Sequence, residues 1–123
     1  MSYELRKQFS FDAAHTLERE ISTESSRRIH GPSYRGELVL RGEIDPASGM
    51  LVDFGHVERV LAGLRDALDH RFLDEVEGLG PATMENLCRW IWTRARPALP
   101  QLQAVAVYRD SAGERCTYLG PAA

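Results

Sequence analysis

The chain has 123 residues, of which 43% are hydrophobic and 27% are charged, and its formal net charge is −3. This composition is typical of a globular protein, and the length is enough for one domain with its own core, which we expect to span residues 1–123. The charge balance lacks the basic excess of a nucleic-acid-binding protein, and no apolar run approaches the ~20 residues that cross a bilayer. The first residues also lack the apolar stretch of a signal peptide, so we expect a cytoplasmic protein without nucleic-acid or membrane partners.

The amino-terminal half predicts strands joined by polar segments. Residues 3–11 and 35–44 alternate between apolar and polar side chains, which is typical of half-buried strands. A turn at residues 45–49, with a proline early and a glycine late, predicts that residues 36–53 form a hairpin. The polar stretch at residues 16–29 predicts a long loop, and long loops in small domains are often functional.

Two helices and a second hairpin follow. Asp53 and Thr83 are each placed to cap the amino terminus of a helix. Residues 104–108 and 115–119 predict the second hairpin. The order of elements predicts an α+β domain, a four-stranded antiparallel sheet with both helices on one face, whose open edges favour oligomerisation. The first helix carries one apolar stripe at spacings of three and four: Val57, Val60, Leu61, Leu64 and Leu68.

Histidines supply the candidate chemistry, because imidazole is the commonest neutral metal ligand and the usual acid or base near pH 7. His15 and His30 flank the polar loop and are candidate metal ligands, although catalytic zinc normally has three protein ligands and the third is not evident. His56 falls in the first turn of a helix, where we expect a surface residue. Asp69 precedes His70, and a carboxylate beside an imidazole can support proton transfer; a solvated loop is the alternative interpretation.

Several segments resemble the 6-pyruvoyl-tetrahydropterin synthase and 6-carboxytetrahydropterin synthase family. They follow the family's order and cover nearly the whole chain, and the bacterial 6-carboxytetrahydropterin synthase branch, which serves queuosine biosynthesis, is the most similar. The matching segments are residues 11–15 (FDAAH), 30–34 (HGPSY), 49–54 (GMLVDF), 68–73 (LDHRFL) and 83–87 (TMENL).

The resemblance implies a fold, a substrate and an assembly. The fold is the tunnelling (T) fold, built from ββααββ units whose sheets join into a barrel. Family members are usually homohexamers with active sites between subunits. They act on 7,8-dihydroneopterin triphosphate, and a zinc ion held by three histidines makes protons of the side-chain hydroxyls easier to remove.

The resemblance also implies a metal site with one ligand changed. His15 and His30 match the first two zinc ligands, whereas Pro32 stands where the family has its third histidine. Proline has no donor atom for a metal. Ser26 stands where the family has its catalytic cysteine, and a serine hydroxyl is a far poorer base than a thiolate unless something activates it.

The remaining catalytic and pterin-binding positions are closer to the family pattern. Asp69 and His70 match its acid/base pair. Thr83 and Glu85 match the stretch beside its pterin pocket, although on their own they first indicate helix capping.

One substrate-binding position depends on alignment. The family's pterin-anchoring glutamate aligns with Arg109 when no gap is allowed and with Asp110 after a shift of one residue. Such a shift moves a side chain to the other face of a strand. We favour Asp110, because a cation cannot accept hydrogen bonds from the N–H groups of a pterin; Glu114 is a further candidate.

Three hypotheses follow. The first is a 6-carboxytetrahydropterin-synthase-like enzyme with an altered metal site. The second is a related pterin side-chain lyase or epimerase, since Ser26 in place of cysteine favours a different reaction on the same substrate class. The third is a T-fold protein that binds a pterin without turnover, since a zinc ligand and the cysteine are replaced together.

Overall fold

A computed structural model describes residues 2–14 and 33–122, and the predicted loop at residues 16–29 lies outside them. The predicted α+β architecture with a four-stranded antiparallel sheet is confirmed. Short 3-10 turns at Leu73–Glu75 and Asp110–Ala112 join the larger elements. Those elements are β1 (Tyr3–Asp12), β2 (Ser33–Gly42), α1 (Phe54–Leu68), α2 (Met84–Ala95), β3 (Leu102–Arg109) and β4 (Glu114–Tyr118).

The sheet has the order β1-β2-β3-β4, which corrects the predicted hairpin over residues 36–53. β2 pairs with β1 on one side and with β3 on the other, so both of its edges are occupied. The chain after the turn therefore forms only an isolated bridge, between Asp45 and Met50. The proline and glycine at residues 45–49 predicted the turn correctly, but the strands that pair with β2 are β1 and β3 rather than the segment that follows the turn.

Both predicted helix caps are confirmed. The Asp53 carboxylate accepts a hydrogen bond from the Gly55 N–H at 2.8 Å, and the Thr83 hydroxyl accepts one from the Asn86 N–H at 3.1 Å. Each bond satisfies a donor that has no partner within its helix. The stripe on α1 faces the core, with four of its five predicted residues buried: Val57, Leu61, Leu64 and Leu68.

α1 runs alongside β1 in the same direction. Near its start, Glu58 lies 2.6 Å from the Lys7 ammonium group. Just beyond its end, Asp69 accepts a hydrogen bond from the backbone of Asp12, the last residue of β1. The carboxyl end of α1 therefore lies at the end of the sheet where β1 finishes.

α2 runs alongside β4, also in the same direction. The Cys88 thiol donates to the Cys116 carbonyl oxygen at 3.4 Å, and one turn later the Trp92 ring meets the Tyr118 ring edge-on at 5.5 Å. Both cysteines are free thiols, and burial raises the pKa of Cys88 to about 12. Because β4 starts where β1 ends, the start of α2 and the end of α1 lie at the same end of the sheet.

The sheet face away from the helices carries a buried carboxylate. Glu37 is only 3% exposed and accepts hydrogen bonds from Arg6, Gln8 and Tyr108 at 3.0, 2.7 and 3.0 Å. Burial raises the pKa of Glu37, but these hydrogen bonds outweigh it and hold the pKa below its ordinary value. The middle of β2 is therefore buried on both faces, whereas the alternation of its residues predicted burial on one face only. Within the described ranges, neither helix is long and apolar enough to cross a membrane.

Candidate active site

Asp69 and His70 meet because of the turn that ends α1. The Asp69 N–H donates to the Arg65 carbonyl at 2.7 Å and closes the last turn of the helix. His70 then adopts a left-handed conformation with φ of 58°, which is uncommon for a residue other than glycine. Its N–H donates to the Asp12 carbonyl at 2.6 Å. This backbone arrangement brings the His70 Nδ1 to 3.1 Å from the Asp69 Oδ2.

The electrostatics of this pair favour an ionised carboxylate. The Asp12 N–H donates to the Asp69 Oδ1 at 2.9 Å and, together with the hydrogen bond to His70, lowers the pKa of Asp69. When the Asp69 carboxylate accepts from the Nδ1–H of neutral His70, the Nε2 is the unprotonated ring nitrogen and its lone pair can accept a proton. The His70 side chain is 80% exposed, so that nitrogen is accessible.

Asp12 lies beside the Asp69–His70 pair and was not predicted from the sequence as a candidate site residue. Its carboxylate accepts a hydrogen bond from the Ser33 hydroxyl, at the first residue of β2. Asp12, Asp69 and His70 each offer one metal-ligating atom, and these atoms lie within 4.8 Å of one another. The available signal was its position at the end of a strand, just before Ala13, Ala14 and His15.

The predicted metal ligands His15 and His30, and the predicted catalytic residue Ser26, lie outside the described residues. The chain that leads to them is held beside the Asp69–His70 pair. The Ala14 N–H donates to the Arg71 carbonyl at 3.0 Å, and the Ala14 carbonyl accepts from Leu73 at 2.8 Å. On the other side, Ser33 contacts Asp12.

The start of α2 lies at the same end of the sheet. Cys88 on α2 contacts Cys116 on β4. Met84 lies four residues before Cys88, about 6 Å back along the helix axis, and Glu114 lies two residues before Cys116, about 6.6 Å back along the strand. The predicted substrate-binding residues Thr83 and Glu85 are therefore level with Glu114. The Thr83 hydroxyl is used for capping, whereas the Glu85 side chain is exposed.

The pairing of β3 with β4 decides where Arg109 and Asp110 point. The register is unbroken and places Arg109 directly opposite Glu114, on the helix-facing side that Val107 also occupies. Asp110 follows the strand and receives two hydrogen bonds from the Arg35 guanidinium, both at 3.0 Å. These bonds lower the pKa of Asp110. Arg109 and Asp110 thus lie on opposite faces of the sheet.

Comparison with known proteins agrees with this architecture. Residues 4–121 match the family described as 6-pyruvoyl tetrahydropterin synthase. The chain is 33% identical over 117 residues to a 6-carboxy-5,6,7,8-tetrahydropterin synthase from Synechocystis sp., covering 90% of this chain and 85% of that protein. It is 36% identical over 91 residues to a dihydroneopterin monophosphate aldolase from Pyrococcus furiosus, covering 74% and 73%.

The fold comparison points the same way. The solved structure of 6-pyruvoyl tetrahydropterin synthase from Caenorhabditis elegans superposes with a TM-score of 0.84 at 25% identity, covering 98% of this chain and 97% of that one. The predicted T fold is thereby confirmed. Because the family match spans nearly the whole sequence, this chain belongs to the 6-pyruvoyl tetrahydropterin synthase family.

Proposed function

We propose that this protein is an enzyme of pterin biosynthesis that acts on the side chain of 7,8-dihydroneopterin triphosphate, as a 6-carboxytetrahydropterin synthase does. The observation that carries the proposal is the contact between Asp69 and His70, 3.1 Å apart at the end of α1. The 33% identity to a 6-carboxytetrahydropterin synthase over 90% of this chain supports the choice of reaction.

The pair is suited to moving a proton on a hydroxylated side chain. The exposed Nε2 of His70 accepts a proton from the substrate, and the Asp69 carboxylate stabilises the imidazolium that forms. The backbone N–H of Asp12 keeps that carboxylate ionised and in place. Asp69 is only 24% exposed, so its interaction with His70 is partly shielded from solvent.

The donors near this pair also suit zinc, which binds imidazole nitrogen and carboxylate oxygen. We assign His15 and His30 to the metal. The Cα atom of His15 is one peptide, about 3.8 Å, from that of Ala14, and that of His30 is within about 11 Å of that of Ser33. Ala14 and Ser33 are both held beside the pair. Bound zinc would supply Lewis-acid activation of the side-chain hydroxyls.

The assembly we propose is a cytoplasmic homohexamer with active sites between subunits. In the described sheet, β1 and β4 each pair on one side only. Unpaired edges of this kind readily pair with another chain. Native mass spectrometry tests the assembly by the number of subunits.

A related side-chain lyase is the second candidate function. The 36% identity to a dihydroneopterin monophosphate aldolase favours it. Ser26 in place of the family's cysteine fits a reaction that needs fewer acid/base groups. In such a reaction a carbon–carbon bond of the side chain breaks, and a 6-hydroxymethyl pterin remains.

Product analysis separates the candidates. The purified protein is incubated with 7,8-dihydroneopterin triphosphate or monophosphate, and the products are identified by mass spectrometry. A 6-carboxy product supports the synthase, and a 6-hydroxymethyl product supports the lyase. A side chain of unchanged mass would contradict both the synthase and the cleavage reaction.

The same assay tests the catalytic pair. Asp69→Ala and His70→Ala should abolish turnover. His56→Ala is the matched control, because His56 lies in the first turn of α1, at the opposite end of that helix from the pair, and its ring contacts the Ala98 carbonyl. Undiminished turnover in both test variants would refute the mechanism.

A further inference from the structure

A polar cleft of about 640 Å³ lies against the Asp69–His70 pair, on the exposed side of α1. Residues three and four positions apart share one face of a helix, so its helical wall is a single strip about 10 Å long, from Ala62 in α1 to the capping residue Asp69. The residues that line this cleft are Ala62, Arg65, Asp66, Asp69, His70 and Arg71.

Arg71 presents a guanidinium of fixed orientation to the cleft. Its Nε donates to the Asp66 carbonyl oxygen at 3.2 Å, five residues back in the last turn of α1. Arg71 makes no other side-chain hydrogen bond or ion pair within the described residues, so the N–H groups of both Nη atoms are available. A guanidinium in this state offers a phosphate group a bidentate contact.

Arg65 adds a second cation on the same wall. Its Nη2 lies 3.8 Å from the Asp69 Oδ2, which is too long for a hydrogen bond, and its side chain is 54% exposed. Asp69 instead accepts from the backbone N–H of Asp12 and contacts the Nδ1 of His70. Both guanidiniums of the cleft therefore keep donors for a ligand.

The carbonyl oxygens at the end of α1 are also covered. Oxygens at the carboxyl end of a helix carry partial negative charge and would repel an anion. The Arg65 carbonyl, however, accepts from the Asp69 N–H. The Leu68 carbonyl accepts from the Arg71 N–H, and the Asp66 carbonyl accepts from the Arg71 side chain. The Asp66 carboxylate, which has no partner within the described residues, is outnumbered by the two guanidiniums of the cleft.

The cleft lies where the anionic end of the proposed substrate would extend. His70, whose exposed Nε2 accepts the proton of a side-chain hydroxyl, lines the same cleft. In 7,8-dihydroneopterin triphosphate the phosphate chain begins on the carbon next to the hydroxyl-bearing carbons. Arg71 follows His70 directly, and Arg65 is about 6 Å from Asp69 along the helix axis. A substrate with its hydroxyls at His70 thus has both guanidiniums beside its phosphates.

We propose that Arg65 and Arg71 form a binding site for the phosphate chain of the substrate. Both guanidiniums donate to phosphate oxygens, so the site favours a phosphorylated side chain over one that ends in a hydroxyl. The Asp66 carboxylate opposes the same ligand and limits its affinity. This inference rests on the proposed function, because it names the residues that hold the anionic end of the same substrate.

Two fluorescent ligands that differ only in phosphate test the site. Neopterin triphosphate and neopterin share the pterin ring and the hydroxyl groups, and their dissociation constants are measured by fluorescence titration. The unmodified protein should bind the triphosphate at least about 30-fold more tightly, because each charge-assisted hydrogen bond contributes roughly tenfold or more. Inorganic tripolyphosphate should displace neopterin triphosphate from the protein but leave neopterin bound.

Variants then assign the preference to residues. Arg65→Gln and Arg71→Gln should each weaken neopterin triphosphate about tenfold and leave neopterin within about a factor of two, because neopterin has no phosphate. Asp66→Asn should strengthen triphosphate binding about 2- to 5-fold, since a nearby negative charge is removed. Arg59→Gln is the matched control, because it removes an exposed arginine of the same helix that does not line the cleft. It should change neither dissociation constant.

Two results would overturn the site. One is a preference for the triphosphate that is the same in both arginine variants as in the unmodified protein. The other is a loss of that preference in a variant that carries Arg27→Gln and Arg28→Gln, in the predicted loop, instead. Either result leaves the proposed function standing if the unmodified protein still converts dihydroneopterin triphosphate. If the unmodified protein binds neither ligand and converts no substrate, the proposed function fails, and the assignment of the cleft fails with it.

Discussion

The Nδ1 of His70 lies 3.1 Å from the Oδ2 of Asp69, and this contact depends on the backbone of a distant strand. Asp12 at the end of β1 contributes its N–H to Asp69 and its carbonyl to the N–H of His70. Neither bond needs a particular side chain at position 12. The geometry of the pair is therefore fixed by how β1 and the end of α1 pack together.

The contribution of the Asp69 negative charge to turnover can be tested with a substitution that keeps the size of the side chain. Asp69→Asn keeps an oxygen that can accept from the Asp12 N–H but removes the negative charge that stabilises the imidazolium. We expect kcat/KM for dihydroneopterin triphosphate to fall by about 10²- to 10⁴-fold, the usual range for losing acid/base assistance. Steady-state kinetics measure this, with circular dichroism to show that the fold is kept. A value within a factor of two of the unmodified protein would contradict the role of Asp69.

Local sequence rules were sufficient to predict the two helices and where each begins. Asp53 and Thr83 cap their helices as predicted, because an N-cap depends only on a side chain and the backbone two or three residues later. The strand pairing could not be obtained in this way. The alternation of β2 predicts a strand but does not specify its neighbours, and both neighbours are distant in sequence.

In the candidate site too, contacts between residues close in sequence could be predicted, whereas contacts between distant residues could not. The Asp69–His70 pair was found from adjacent residues, whereas Asp12 reaches Asp69 across 57 positions of sequence through its backbone N–H. No side-chain pattern reports such a contact. The opposite orientations of Arg109 and Asp110 likewise depend on the β3–β4 register, which only the paired strands define.

Restoring the missing histidine tests the metal site. Pro32→His adds an imidazole next to Ser33, whose hydroxyl contacts Asp12. We expect zinc affinity to rise by at least about 10- to 100-fold, because removing even the outer partners of a zinc site changes affinity by that much. Competition with a chromophoric chelator measures the affinity. Pro46→His, in the exposed turn before Met50, is the matched control. An equal gain in the control, or no gain in Pro32→His, would contradict the assignment of His15 and His30 to the metal.

The buried carboxylate of Glu37 predicts a pH-dependent stability. Glu37→Gln should lower the free energy of unfolding by about 1.5–3 kcal/mol at neutral pH, because hydrogen bonds to a charged group are lost. The pKa of Glu37 is lowered in the folded protein, so its stabilisation is present above the ordinary value of 4.5 and disappears as the pH falls through the folded pKa. Urea unfolding at several pH values should show the two proteins converging in acid.

The control for that measurement is an exposed ion pair. Glu58→Gln removes the partner of Lys7, and the Glu58 side chain is 57% exposed. It should cost less than about 1 kcal/mol at any pH. A constant difference between the unmodified protein and Glu37→Gln, extending well below pH 4.5, would show that the charge of Glu37 does not contribute.

Two glycines should respond in opposite ways to the same substitution. A Cβ atom at Gly36 would lie 2.5 Å from the Phe9 ring, which is 7% exposed and packed against Phe11. We expect Gly36→Ala to destabilise the protein by about 1–3 kcal/mol, since the ring must move within a filled core. Gly63 lies in α1 with open space around it, so Gly63→Ala should stabilise by about 0.5–1 kcal/mol through helix propensity. Thermal unfolding of both variants checks the pair, and a neutral Gly36→Ala would mean that the Phe9 ring is not confined.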